Sequence, residues 1–479
     1  MKRLLLTALA MTLSGCALME PSAPPAAQLD GAKLGLADQS TAWPDAQWWR
    51  RYGDPQLDQL VDEALAGSPT MTAAQARLAQ ANASVGRARA PLMPRLDADY
   101  ALNRAQFPNG YIYPAPYGGN DFSDNRLTLN FSYELDFWGK NRNLLKAAVS
   151  QRDAAAADAQ AARNLLAHSV ARSYLNLQNA LAQREVLEEI AKQRNELYDL
   201  TQSRQKAGLD TQVEVKQSES AFASVKVDLT QEDTTIAQLR NQIAALVGAG
   251  PQRGKAITQA KLTAPAGVLP ESVPLALLGR RPDVVAARWR AEAARSQIEV
   301  AKAAFYPDVN LVAFVGYQAL GPLNTMFSVG QTHGFGPAVT LPIFHGGELN
   351  AQLAGRRAEA DSAVADYNNT VLDAVRQTAD AIDALRLIQQ EKAQEHEARS
   401  AIDDAYQLAV QRYKSGLGNY LSVLTAQNSV LAEDRRDTDL RIRAYQLDAD
   451  LAYALGGGYQ DPGQAKPAQA DDPTGKNSD

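Results

Sequence analysis

Hydrophobic positions along this chain follow two rhythms, and the order in which they switch predicts its elements. Over about 70–91 and again over 283–305, apolar residues recur at helical spacing, and each run ends near a proline, Pro94 or Pro307, which biases the chain away from helix. Period-two segments follow. Leu96, Ala98, Tyr100 and Leu102 alternate with polar residues, as do Leu127, Leu129, Phe131, Tyr133 and Leu135 against Thr128, Asn130, Ser132, Glu134 and Asp136. In the second half Val309, Leu311, Ala313, Val315 and Tyr317 alternate, and less cleanly so do Phe335, Pro337, Val339, Leu341 and Ile343. The pattern predicts two hairpin-like pairs, four strands in all. Their connections, about 105–124 and 318–333, are rich in Gly, Pro, Asn and Tyr, as outward loops of a membrane barrel tend to be.

After Gly139 and Gly346-Gly347 the helical period returns and persists. Leu166, Val170, Tyr174, Leu177 and Leu181 mark a coiled-coil-like seam in one half; Val364, Tyr367, Val371, Val375, Ile382 and Leu385 mark it in the other. Each run lasts about 65 residues, roughly 100 Å of helix at 1.5 Å per residue. A Gly-containing turn, Lys206 to Thr211 or Lys414 to Tyr420, then leads into a return helix. Helices of that length belong to coiled coils or helical repeats rather than to a globular core.

The two halves are copies of one unit. Ser68 to Pro94 matches Arg281 to Pro307 at an offset of 213, Phe137-Trp138-Gly139 matches Phe344-His345-Gly346 at 207, and Tyr198 to Gly208 matches Tyr406 to Gly416 at 208.

Composition removes most other functions. The chain has 479 residues, is 7% aromatic, and carries a net charge of −6 with both signs mixed along it, so nucleic acid is not an expected partner. One cysteine, Cys16, permits no internal disulfide and no zinc-ligand spacing. His168, His333, His345 and His396 are scattered and read as surface or helix-face histidines. With no GxSxG, HExxH or P-loop pattern, no enzyme, cofactor or metal is expected. The strand segments instead match the 9–11 residues that cross a bilayer at a tilt. Four strands cannot close a membrane barrel, so identical copies have to seal the edges; three would bring twelve strands, enough for an open lumen. Phe137-Trp138, Phe305-Tyr306 and Phe344 lie where an interfacial aromatic girdle is expected.

The amino terminus reads as an address. Lys2 and Arg3 precede a short apolar run, Leu4 to Leu13, too short to span a membrane, and Leu13-Ser14-Gly15-Cys16 follows. That tetrapeptide resembles the lipobox of bacterial lipoproteins, which implies cleavage between Gly15 and Cys16, acylation of Cys16, and, with Ala17 next, sorting to the outer membrane. Multiple acyl chains anchor durably. Ala17 to Thr41 reads as a tether.

Taken with the lipobox, Trp48-Trp49, Asp54-Pro55-Gln56-Leu57, Leu135-Asp136-Phe137-Trp138-Gly139, Arg280-Arg281-Pro282-Asp283, Phe305-Tyr306-Pro307 and Leu341-Pro342-Ile343-Phe344-His345-Gly346-Gly347 resemble the TolC-type outer-membrane factors, in their lipoprotein branch. The resemblance runs from about Trp43 to Tyr459. It implies a mainly α fold with a membrane β part: a homotrimer whose twelve-stranded transmembrane β-barrel continues into a periplasmic α-helical barrel. It implies a passive efflux duct docked to a periplasmic adaptor and an inner-membrane pump. The expected organisation is a signal peptide over 1–15, a lipidated tether over 16–42, and a first repeat over 43–248 with a strand pair at about 95–137 and a helical hairpin over 140–248. A belt segment over 249–280 leads to a second repeat over 281–456, with a strand pair at about 308–343 and a hairpin over 347–455, and then to a belt end and disordered tail over 457–479.

In such proteins the two hairpin tips, here about 204–215 and 412–425, form the periplasmic mouth, and relatives often ring it with carboxylates on the second tip. This chain departs from that pattern, with Gly418, Ser422 and Thr425 at the matching places, while Asp210 and Glu214 lie on the first tip. Those five are the candidate aperture residues. Lys206, Gly208 and Leu209 with Lys414, Gly416 and Leu417 are the candidate adaptor contacts, although helix-turn chemistry alone accounts for the glycines. Two other readings stay open: the exit channel of a type I protein-secretion system, and a non-channel periplasmic coiled-coil adaptor.

Overall fold

A computed structural model of the chain describes residues 19, 24–36, 42–110, 112, 114–263, 269–321, 323, 327–328 and 330–461. The expected signal peptide, Gly15, Cys16 and the tail beyond Asp461 lie outside these residues.

Elements follow one another as helices α1 (Pro55–Gly67) and α2 (Pro69–Arg89), strands β1 (Arg95–Gln106) and β2 (Asp121–Glu134), and helices α3 (Lys140–Lys206), α4 (Gln212–Leu246), α5 (Pro251–Lys255), α6 (Leu277–Arg280) and α7 (Pro282–Ala303). Strands β3 (Asp308–Leu320) and β4 (Gln331–Thr340) and helices α8 (Glu348–Lys414) and α9 (Tyr420–Ala454) complete the order. The long helices are 67 residues each and the return helices 35 each. The chain divides into two compact units, one built on Arg77–Ala156 and Ala286–Asn368, the other on Leu29–Ala76, Ala157–Val285 and Asn369–Asp479.

The first unit holds the strands. Rather than two separate hairpins they form one antiparallel sheet in the order β1-β2-β3-β4, because β2 of the first repeat pairs with β3 of the second, from Asp124 opposite Leu320 to Glu134 opposite Asn310. Gly316 makes that junction possible: a Cβ there would lie 2.1 Å from the Leu127 carbonyl oxygen. The strands reach further into the connections than alternation predicts, to Gln106 and from Asp121, where polar residues occupy both parities. At the other end β4 stops at Thr340, so Leu341 and Ile343 lie beyond the sheet, just before and after Pro342, which lacks the amide a further ladder bond would need. Pro337 is tolerated because β4 is an edge strand. Next to the sheet, Trp138 stacks on Tyr306 with ring centroids 4.6 Å apart and donates through Nε1 to the Pro307 carbonyl at 2.8 Å.

The second unit holds the main core. Trp48, Trp49 and Tyr52, with Leu57, Leu60 and Val61 of α1, are buried against Leu166, Val170, Tyr174 and Leu177 of α3 and Ile243 of α4. Two aspartates tie this layer down. Asp54 caps α1, accepting from the Gln56 amide at 2.9 Å, and also receives the buried Tyr174 hydroxyl. Asp448 of α9 accepts from the Tyr52 hydroxyl at 2.8 Å and pairs with Arg51 at 2.5 Å. Burying carboxylates costs free energy unless such partners are present.

Candidate functional site: helical tips and strand wall

Both tips are built by the same local chemistry. At the end of α3, Gly208 takes φ +74°; its amide donates to the Gln205 carbonyl at 3.0 Å and the Leu209 amide to the Arg204 carbonyl at 2.9 Å. At the end of α8, Gly416 takes φ +76°, with the corresponding bonds to Tyr413 at 3.0 Å and from Leu417 to Arg412 at 2.8 Å. These are paired Schellman closures, which require glycine at the left-handed position. The leucine that follows normally folds back onto its own helix. Here Leu209 and Leu417 are 65% and 74% exposed, and Lys206 and Lys414 are exposed beside them. Each tip thus presents an uncovered leucine next to a lysine.

The return helices start from different caps. Thr211 and Glu214 form a reciprocal capping box: the Val213 amide donates to the Thr211 hydroxyl at 3.1 Å, and the Thr211 amide to Glu214 at 2.8 Å. The Thr211 hydroxyl holds the Glu214 carboxyl below its usual range. On the second tip the Asn419 side chain accepts from the Ser422 amide at 3.0 Å and its hydroxyl at 2.8 Å, while the Thr425 hydroxyl donates to the Leu421 carbonyl at 2.9 Å. Gly418 packs close to α8, where an added Cβ would lie 3.3 Å from Arg412.

Asp210 is placed differently from a free lumen carboxylate. It accepts from Arg204 Nε at 2.9 Å and Nη2 at 3.3 Å, and from the Tyr413 hydroxyl of α8; the Asp210 and Arg204 side chains are only 8% and 12% exposed. The guanidinium also lies 4.5 Å from the Tyr413 ring centroid. Tyr413 in turn packs with Leu197, Tyr420 and Val423, and burial pushes its phenol well above the ordinary range. Asp210 therefore fastens the first tip to the second hairpin, with its charge balanced by Arg204. Arg204 and Tyr413 are the functional residues that sequence reasoning missed. A signal was present: at the offset of 208, Asp210 corresponds to Gly418 and Tyr413 to Gln205, so the fastening sits where the two repeats differ.

Further along the second hairpin, Glu395 of α8 is 5% exposed and lies beside Glu433 of α9, both facing Arg436, which is 3.6 Å from Glu395. Burial, then the neighbouring Glu433 charge, raises the Glu395 carboxyl above its ordinary value. A raised folded-state value means that this group's contribution to stability is present at low pH and is lost as pH rises through it. Thermal unfolding followed by helical circular dichroism is expected to show Glu395→Gln stabilising the protein at about pH 8 and changing little at about pH 5. The same shift at both pH values would count against it.

The strand wall has two unlike faces, because directly opposed residues of an antiparallel sheet share a face. The register gathers Leu96, Tyr100 and Leu102, Leu127, Leu129 and Phe131, Leu311, Val315 and Tyr317, and Phe335 and Val339 on one of them. In the single chain these are uncovered, with Leu96 at 62%, Val339 at 62% and Phe335 at 91% exposure. The opposite face carries Arg95, Asp97, Asp99, Arg126, Thr128, Asn130 and Glu134 on β1 and β2. Both edge strands, β1 and β4, leave a row of unpaired backbone groups. Among the described residues no helix is long and apolar enough to cross a membrane, and no group of His, Cys, Asp or Glu is placed to hold a metal ion.

Comparison with known proteins agrees with this geometry. The family model for outer membrane efflux proteins matches residues 60–249 and 273–457. The chain is 39% identical over 362 residues to the fusaric acid resistance protein FusA of Burkholderia cepacia, covering 73% of this chain and 68% of that protein. It is 32% identical over 461 residues to the multidrug resistance outer membrane protein MdtP of Escherichia coli K12, covering 94% of each. Among solved structures, the outer membrane protein VceC of Vibrio cholerae superposes with a TM-score of 0.83 at 38% identity, over 87% of this chain and all of that one. Paired repeats of strand hairpin and long helical hairpin, an apolar sheet face and these matches lead to one conclusion: the chain belongs to the outer membrane efflux protein family, with a TolC-like fold and a place in the outer membrane.

Proposed function

We propose that three copies of this chain seal a twelve-stranded barrel and serve as the passive exit duct of a tripartite efflux assembly for drugs or other toxic small molecules. The observation that carries this is the unfinished sheet: four strands with an apolar face and two bare edges. Within hydrocarbon every backbone donor and acceptor needs a partner, so an open edge cannot stand. Because the strands alternate in direction, β4 of one copy meets β1 of the next antiparallel, and the ladder continues from copy to copy except at Pro337, which has no amide to donate. The names of FusA and MdtP favour small-molecule cargo over secreted protein.

In this reading the tips form the periplasmic mouth. Asp210 with Arg204 and Tyr413 holds it narrow, Glu214 stiffens the first tip, and Gly418, Ser422 and Thr425 line the second. The exposed Leu209 and Leu417, shaped by Gly208 and Gly416 and flanked by Lys206 and Lys414, fit a periplasmic adaptor, and an inner-membrane pump supplies the energy. Cys16 carries the lipid, so the mature chain should begin there with a mass raised by its acyl groups. The test is detergent extraction followed by gel migration with and without heating, and by planar-bilayer recording. A heat-sensitive trimer that conducts ions is expected; a monomer that inserts no channel would overturn the proposal.

A further inference from the structure

The inner face of the wall is not uniformly polar. On β1 and β2 it carries charges and amides, but midway along β3 and β4 the same face reads Val312, Phe314 and Gly316, then Gly334, Gly336 and Ala338, between Asn310 and Gln318 on β3 and Thr332 and Thr340 on β4. Phe314 and Val312 are each 41% exposed. Nothing in period-two alternation calls for a phenylalanine on the watered face of a strand, where Thr, Asn or Ser would serve. Its ring has a prepared place: Gly334 is directly opposite in register, and a Cβ on Gly334 would lie 2.6 Å from the ring. The ring occupies the space that a side chain at 334 would need, lying across β4 with one side free.

The row continues in the other direction. Phe314 pairs in register with Asn130 of β2, which pairs with Asp97 of β1, and Asn130 Nδ2 donates to Asp99 at 2.7 Å. Asp97 is matched by Arg95 at 2.5 Å, whereas Asp99 holds the neutral Asn130 amide and feels the Arg95 charge only at longer range. The ring lies toward β4, so the aromatic face and the Asp99 carboxylate are two to three strand spacings apart, roughly 10–15 Å at about 4.8 Å each. That spacing fits a drug-sized cation with an aromatic part: the ring face attracts positive charge or stacks on an aromatic group, and the carboxylate balances the charge.

We propose that Phe314, seated on Gly334 and aided by Asp99, is a resting site on the inner wall for amphiphilic aromatic cations on their way out, repeated once per copy. The site rests on the barrel reading of the preceding subsection, which makes this face the lumen. An aromatic cation lingers there longer than an aliphatic cation of similar size, and an aromatic anion is disfavoured by Asp99.

The experiment records the reconstituted trimer in planar bilayers and measures current interruptions caused by tetraphenylphosphonium, tetrabutylammonium and tetraphenylborate. Tetraphenylphosphonium should give the longest interruptions. Phe314→Leu, which keeps bulk and strand compatibility, should shorten them about fivefold, and Phe314→Tyr should preserve them. Gly334→Ala, which pushes the ring off its seat, and Asp99→Asn should each shorten them as well. If the wild-type protein forms no channel, the barrel reading itself fails. If it conducts but its tetraphenylphosphonium interruptions match those of Phe314→Leu, the barrel stands and the resting site is refuted.

Discussion

Asp210→Ala should raise single-channel conductance severalfold and loosen the first helical tip. The carboxylate is the shared acceptor of Arg204 and Tyr413, and both members of the ion pair are nearly buried. Removing it strands a guanidinium with little water around it. Breaking a fully buried pair by deleting one partner costs about 3–5 kcal/mol, which is an upper bound for this partly buried pair at a turn. The expense falls on a turn of a few residues, so the expected consequence is local release of α3 and α4 from α8, not global unfolding. Hydrogen exchange at the Leu209 to Val213 amides should rise together with conductance. Asp210→Asn keeps an oxygen for the Tyr413 hydroxyl but removes the charge, and should fall between wild type and Asp210→Ala. Faster exchange at unchanged conductance would show that the fastening is structural and that the narrowest point lies elsewhere.

Leu129→Arg should abolish the heat-sensitive trimer. Leu129 lies mid-strand on the apolar face, opposite Ala98 of β1 and Val315 of β3, and is already 41% exposed with nothing but the surroundings of the sheet to cover it. An arginine near the midplane of a membrane barrel costs about 2–4 kcal/mol. Three copies repeat that cost in one closure event, which makes the assembled wall far more sensitive than a single chain. Thr128→Arg, one residue away on the watered face, is the control and should leave the trimer intact. Equal loss in both variants would mean that the faces are assigned the wrong way round.

The helices and the alternation of the strands were legible because each is a periodic signal over many residues. Leu166, Val170, Tyr174 and Leu177 are all buried, and Leu96, Leu129 and Val315 share a face as their spacing implies. The matched repeats and the motif blocks likewise pointed to the family that the comparisons show. Three things were hidden. The junction of β2 with β3 joins segments that no local pattern connects, and its enabling residue, Gly316, reads in sequence only as an interruption. The Asp210 fastening combines a turn with a tyrosine 203 residues away, which period analysis cannot see. Phe314 falls between two alternating positions, Ala313 and Val315, at the parity that alternation leaves to polar side chains, and its own chemistry contradicts that placement.

The two helical hairpins agree to the residue, 67 out and 35 back in each. Each residue of an α-helix advances it by about 1.5 Å and turns it by roughly 100°. Deleting one residue from α8 alone would therefore withdraw its turn by about 1.5 Å and swing Leu417 about a quarter of the way around the helix, out of step with Leu209. The lengths of the two halves are bound together, so change in the span of these hairpins has to come in matched pairs, out and back, in both repeats at once.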